Sequence, residues 1–291
     1  TSCAIAGRLT KNQTTTSKAE KVRLSMMASL KNCGTALVVL FALTVASDAH
    51  DFWIEPTVFQ PSPGDRTEFN LRVGENLSGD SLPWIPEWFL DYRVIGPDGA
   101  QPVRAIIGDI PAGGFTPDEN ALYTVGYFSG ADLADLEPEK FNAYLMSEGL
   151  EHALETRRAA GEENTRGLEY YSRCAKSIIK SGDGKDTTAL TAIIGYPLEI
   201  IPLNNPYALG KDKTLNIRVL FNSKPISDLA VFAFNSAEPE KQQRTTTNAD
   251  GEASIAVLSS GTWLIKAVHI YEIDNPNADW ESFWASLTFR L

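Results

Sequence analysis

Hydrophobic side chains recur at every second position in several segments of this chain. In residues 67–73, for example, Phe69, Leu71 and Val73 alternate with polar residues. Such alternation is typical of a strand with one buried and one solvated face. Together with β-branched runs between Pro/Gly/Asp turns, the pattern predicts strands at 52–60, 67–73, 89–95, 102–107, 123–129, 168–179, 198–203, 215–221, 230–235, 244–247, 253–258, 263–271 and 283–289.

One segment of the chain has a helical period. Apolar residues in 137–160 recur every three to four positions, acidic residues open the segment and Arg157-Arg158 close it, which predicts one helix over 137–160. Residues 168–179 fit either period, and their Ile178-Ile179 pair favours the strand.

The spacing of these elements predicts a mainly β protein. We expect two immunoglobulin- or transthyretin-like β-sandwich domains, 50–190 with the helix as an insertion and 191–291, joined by a loop at 183–192. The sequence NADG at 248–251 predicts a hairpin turn between two strands of the second domain.

The front of the chain resembles a secretory leader. Lys31 precedes an apolar run at 36–46, and small residues stand at Ser47 and Ala49, which predicts a signal peptide over 26–49 cleaved between Ala49 and His50. The alternative is a membrane anchor at 36–46. We expect residues 1–25, which are polar and aperiodic, to be an untranslated or disordered upstream extension, and the mature chain to be periplasmic or secreted, without a transmembrane segment.

The charge and the cysteine count of the chain disfavour several classes of binding partner and site. The chain carries 26 basic and 37 acidic residues, and six of the basic but only two of the acidic ones lie in 1–49. The mature part is therefore strongly acidic, which disfavours nucleic acid and anionic membranes as partners. Cys174 is its single cysteine, so an internal disulfide and a cysteine-rich zinc site are both excluded there.

The three histidines carry the candidate chemistry. Cleavage would make His50 the first residue, so that its α-amine and imidazole together could chelate a divalent transition metal. Alternation in strand 263–271 puts His269 on the face that carries the large apolar residues. His50 and His269 have the minimum composition of a histidine brace for Cu, Ni, Co or Zn. The alternatives are a half-buried structural His269 and, for His152, a solvated position on the helix.

Motifs for enzymes are absent from the sequence. There is no Gly-x-Ser-x-Gly elbow, His-Glu-x-x-His pair or Gly-rich phosphate loop, so we expect a protein that is not an enzyme. Cys174, near Arg173 and Lys176, is either a reactive thiol or a small core residue. Trp84 and Trp88 either stack on a sugar or fill a gap beneath a loop.

Several segments resemble the bacterial DUF4198 family of exported proteins. They are the post-leader AHDFWIEP, YSRCAK in mid-chain, and the late segments GTWLIKAVH, DWES and WASLTF. Some members are associated with nickel or cobalt uptake, and the resemblance implies a metal site made of His50 and His269. It also implies a metal ion and a membrane metal-transport complex as partners.

The expected function is therefore exported binding of a divalent transition metal, as a periplasmic carrier or uptake accessory. A site at His50 and His269 requires strand 263–271 to lie beside the mature N-terminus. The alternatives are a β-sandwich binding or adhesion module for protein or polysaccharide, with structural histidines, and a redox enzyme with a copper brace.

Overall fold

The computed structural model describes residues 50–291, which belong to one compact unit. The predicted signal peptide at 26–49 and the extension at 1–25 lie outside the described residues. Strands account for 50% and helices for 11% of the structure, so the predicted mainly β class is confirmed. No helix within 50–291 is long and apolar enough to cross a membrane.

The chain forms the following elements in order. The strands are β1 (Asp51–Pro56), β2 (Thr67–Glu75), β3 (Ser78–Leu82), β4 (Phe89–Gly96), β5 (Gly99–Pro102), β6 (Gly114–Phe115), β7 (Leu122–Ser129), β8 (Asp132–Leu136), β9 (Gly167–Lys180), β10 (Leu198–Pro202), β11 (Thr214–Phe221), β12 (Lys224–Pro225), β13 (Ala230–Asn235), β14 (Gln243–Thr246), β15 (Glu252–Ala256), β16 (Thr262–Asn275) and β17 (Ala278–Arg290). The helices, placed between β8 and β9, are α1 (Pro138–Ser147) and α2 (Glu151–Ala160).

A nine-stranded sheet forms the middle of the molecule. Its order is β14-β13-β16-β17-β9-β7-β4-β5, with β8 paired to β9. The parallel pair β17–β9, in register from Trp280↔Glu169 to Thr288↔Ser177, joins the first half of the chain to the second. The two predicted β domains, 50–190 and 191–291, therefore share one sheet across the predicted boundary.

Each face of this central sheet is covered by other elements. A sheet of β10, β11, β12 and β15 lies on one face, while β1, β2, β3 and β6, together with both helices, lie on the other. Strand β9 shows the consequence, because Cys174 and Ile178 belong to one core and Ala175 and Ile179 to the opposite one. Burial on both faces explains its nearly continuous apolar run, which made its period ambiguous.

The single helix predicted at 137–160 is two helices. Helix α1 ends at Ser147 and α2 begins at Glu151. Between them Gly149 has φ of 70°, and a Cβ there would lie 2.4 Å from Cβ of Ala230. Only glycine adopts this backbone without strain, and the break turns the chain so that Glu148 is buried.

Two further predictions are wrong. The turn at 248–251 forms, with Gly251 N donating to Asn248 O at 2.9 Å, but β14 pairs with β13 in the central sheet and β15 pairs with β11 in the other. It therefore connects two sheets instead of closing a hairpin. The strand predicted at 102–107 is absent, because β5 ends at Pro102 and the apolar residues that suggested it, such as Ile106, are exposed.

Candidate functional site

A buried lysine marks the candidate site. Lys266 lies in β16 on the face opposite Ile265 and Ala267, which pack into the core against β11. Its Nζ donates to Asp51 Oδ1 at 2.6 Å and to Glu148 Oε1 at 2.9 Å. We call Lys266, Asp51 and Glu148 the buried triad.

Three separate elements position the buried triad. Asp51 opens β1 and is held in register with Gly74 of β2. Glu148 caps α1, its backbone N–H donating to Tyr144 O at 3.0 Å. Lys266 is fixed by pairing of β16 with β13 and β17. Because all three side chains sit on paired or capped backbone, their mutual geometry is set by the fold.

Burial dominates the electrostatics of the triad. It raises the pKa of the Asp51 and Glu148 carboxyls, although Lys266 opposes the shift at both. Burial would lower the pKa of Lys266, but the two carboxylates outweigh it and raise that pKa above its ordinary value. The rings of Phe232 and Phe234 lie 5.7 and 5.6 Å from Nζ, which adds cation–π attraction.

The triad opens into a cavity of about 400 Å³. Besides the triad, its walls are mostly polar: Glu75, Asn76, Ser147, Phe234, Pro239, Glu240 and Gln242. The cavity thus holds four carboxylates, those of the triad, Glu75 and Glu240, against the single ammonium of Lys266. Oε2 of Glu148 is buried and has no hydrogen-bond partner. A site with this charge favours a cation.

His50 is adjacent in sequence to a residue that lines the cavity. It is half-buried and immediately precedes Asp51, whose carboxylate lines the wall. The register of β1 with β2 ends at the pair Asp51↔Gly74, so His50 directly precedes the paired part of β1 and Glu75 directly follows Gly74. Glu75 also lines the cavity.

The structure does not bring His269 to His50. As predicted, His269 shares a face of β16 with Trp263, Ile265 and Ala267, and its ring centroid lies 4.4 Å from that of Phe221 in β11. Strand β1 packs on the opposite face of the central sheet, where Asp51 meets Lys266. The two histidines therefore lie on opposite sides of the sheet, and a joint metal site does not form.

The surroundings of His269 keep its imidazole neutral. Burial, with a smaller effect from His152, lowers the pKa of His269 to about 4. Within residues 50–291, no group of three or more His, Cys, Asp or Glu side chains is close enough to hold a metal ion. Side chains alone thus provide no assembled metal centre in the described part of the chain.

The other two residues that the sequence singled out, His152 and Cys174, lie in ordinary structural positions. His152 is exposed on α2 with Nε2 3.3 Å from Ile270 O, as expected for a solvated helix position. Cys174 is buried, and burial raises the pKa of its thiol to about 12, so it is a core residue and not a reactive thiol.

Sequence analysis did not identify the buried triad. A signal was present for Lys266, because a lysine inside the apolar segment WLIKAVHI requires a buried counter-ion. Glu148 carried no comparable signal, since its burial depends on the break between α1 and α2.

Comparisons with known proteins identify the family. Residues 47–271 match the family model described as "Domain of unknown function (DUF4198)", and the chain therefore belongs to this family. No curated protein matches the chain.

Two solved structures are similar over much of their length. The D0-D1 domain of intimin has 11% identity and a TM-score of 0.19, covering 83% of this chain and 98% of the other. Three N-terminal domains of the Hoc outer capsid protein of bacteriophage RB49 have 13% identity and a TM-score of 0.17, covering 82% and 59%. Neither similarity bears on function.

Proposed function

We propose that this DUF4198 protein is exported and binds a divalent transition metal ion, nickel, cobalt, copper or zinc, at its mature N-terminus. Within this proposal it is a periplasmic or secreted carrier that delivers the ion to a membrane transport complex. The ligands are the α-amine and imidazole of His50, with Glu75 as a carboxylate ligand and the cavity beside Asp51 supplying negative charge.

The negative charge of the cavity is the main observation that supports the proposal. Four carboxylates surround one ammonium, and Glu148 Oε2 is buried without a hydrogen-bond partner. A buried carboxylate oxygen without a partner is costly, and a cation entering the cavity would lower that cost. Because Asp51 follows His50 directly, this charge adjoins the predicted chain terminus.

Cleavage has a chemical role in the proposal. While Ala49 is attached, the nitrogen of His50 belongs to an amide and is not a metal ligand. Cleavage between Ala49 and His50 converts it into an amine, and a chelating pair of nitrogen donors arises on one residue. Nitrogen donors with a carboxylate suit the divalent ions from cobalt to zinc. The site would therefore form only after export, and His269 has no part in it.

The test compares two chains that differ only at their start. One begins at His50, and the other carries a Gly-Ser-Gly-Ser extension, which leaves the imidazole in place, moves the α-amine away and keeps His50 out of the third position, where it would create a new amino-terminal nickel site. Isothermal titration with Ni²⁺ should give one ion per chain for the first, and affinity at least about tenfold weaker for the second. Glu75→Gln should also weaken binding, whereas the matched control His269→Ala should leave it unchanged. Equal Ni²⁺ affinity of the two termini would contradict the proposal.

A second candidate function, a protein-binding module, is favoured by one exposed surface. Trp84 packs on Phe89, with ring centroids 5.7 Å apart, and is partly buried against the core that contains Phe69. Nearby, Leu90 is 72% and Ile106 75% exposed, and Trp88 also faces solvent. Backbone hydrogen bonds of Trp84 with Gly108 and Asp109 bring the loop that carries Ile106 beside the segment that carries Trp88 and Leu90. Exposed apolar side chains on adjoining segments are typical of a protein contact. A Leu90→Ser/Ile106→Ser variant that still binds Ni²⁺ but no longer supports metal uptake in cells would assign this surface to the transport partner, and unchanged uptake would exclude it.

A further inference from the structure

The buried triad has more groups than an ion pair requires. Side-chain exposures are 10% for Lys266, 6% for Asp51 and 5% for Glu148. One carboxylate would neutralise the lysine, yet two contact its Nζ and the second leaves Oε2 unpartnered. A nucleophile, an electrophile and a spare acid–base group are thus held together where water is largely excluded.

We propose that Lys266 and Asp51 condense to an intramolecular amide, an isopeptide bond, with Glu148 relaying the proton. This inference does not depend on metal binding. It concerns a covalent cross-link between β1 and β16, formed by the folded protein on itself without a cofactor.

The condensation of Lys266 with Asp51 needs no external reagent. A proton moves from the Lys266 ammonium, by way of Glu148, to Asp51, which leaves a neutral amine and a neutral carboxylic acid. Nζ attacks Cγ of Asp51 and forms the C–N bond. Glu148 then carries the second proton from nitrogen to the departing hydroxyl, the C–O bond breaks, and one water molecule leaves.

Burial favours the neutral form of each group that this step needs, although the two carboxylates oppose this effect at Lys266 and raise its pKa. Moving the proton within the triad converts a buried ion pair into two uncharged groups, which reduces the cost of burying charge. Burial raises the pKa of the Glu148 carboxyl. The adjoining cavity gives the released water a path to solvent.

Proximity accelerates the attack, which is slow between separate groups in water. Nζ lies 2.6 Å from Asp51 Oδ1, and Cγ is the carbon bonded to that oxygen. Reactants held in this way react as if at concentrations on the order of 10⁵ M or more. Asp51 makes the shorter contact and lies on a paired strand, which suits the electrophile. Glu148 has the free oxygen, which suits the proton carrier.

The cross-link would have a clear structural effect. Lys266 and Asp51 are 215 residues apart, so the bond would close most of the described chain into one loop. It would also fasten the strand that follows His50 to the central sheet.

Intact mass under denaturing conditions tests the inference. The exported wild-type chain should be lighter than its sequence mass by one water, and a protease digest should contain one branched peptide joining Asp51 to Lys266. Lys266→Arg and Glu148→Gln should keep their full mass. A wild-type chain at full mass after prolonged incubation in the folded state would overturn the inference, and so would a branch at Glu148.

The Asp51→Asn variant separates this chemistry from damage to the fold. An asparagine amide can be attacked at the same carbon with loss of ammonia instead of water. The variant should therefore end at the same final mass as the wild-type chain, which no loss of folding would imitate. An Asp51→Asn chain that stays uncross-linked while the wild type reacts would contradict the proposed attack at Cγ.

Discussion

Replacing Glu169 by glutamine is expected to abolish a large pH dependence of stability. Glu169 lies in β9 and is 2% exposed. It accepts hydrogen bonds from Tyr144 OH at 3.0 Å and from Ser282 Oγ, and within residues 50–291 no lysine or arginine pairs with it. Burial raises the pKa of its carboxyl to about 7, against the opposing effect of these hydrogen bonds.

The sign and magnitude follow from the pKa in the two states. The folded-state pKa of about 7 lies above the ordinary 4.5, so the folded chain binds more protons than the unfolded chain between these pH values. The free energy of unfolding therefore falls as pH rises from about 4.5 to about 7, and this contribution is then constant. At about 1.4 kcal/mol per pKa unit, the loss is about 3 kcal/mol.

The assay is urea denaturation of wild type and Glu169→Gln at intervals from pH 4.5 to 8. Taking the difference between the two chains cancels the titration of all other groups. Glutamine can still accept from both hydroxyls, so the difference should move in favour of the variant by about 3 kcal/mol across this range. A difference that stays constant with pH would refute a buried, titrating Glu169.

Three further perturbations have definite expected outcomes. Lys176→Met should lower the free energy of unfolding by about 3 to 5 kcal/mol in urea denaturation, because Glu199, 3.0 Å from Lys176 Nζ, would remain buried without its cation; a loss below 1 kcal/mol would contradict this. Cys174 should not react with a thiol reagent in the folded chain at pH 8 and should react fully in urea, since burial raises its pKa to about 12; rapid reaction in the native state would disprove its burial. Gly149→Ala should lower the free energy of unfolding by about 2 kcal/mol or more, because the position has a positive φ and the added Cβ would clash with Ala230. An unchanged melting temperature would show that the backbone between the two helices adjusts without cost.

Much of the strand content was predictable because its signal is local. Residues 67–73 and 263–271 alternate cleanly, and both lie within observed strands, β2 and β16. Alternation also placed His269 on the correct face of its strand. These features depend on neighbouring positions, which a single sequence displays.

Features that depend on distant contacts were not predictable in the same way. Alternation cannot show on which face of the central sheet β1 packs, and that choice separates His50 from His269. The break at Gly149 is explained by the approach of Ala230, far away in the chain. Likewise, an apolar strand signals that Lys266 needs a counter-ion, but only the fold identifies Asp51 as that partner.

The central claim is that export produces a metal-binding terminus at His50. Its most direct test is the intact mass of the chain recovered from the exported fraction, together with its metal content after dialysis. The account predicts a chain that begins at His50 and holds about one nickel, cobalt, copper or zinc ion. A chain that begins elsewhere, or one that begins at His50 and stays metal-free when these ions are supplied, would contradict it.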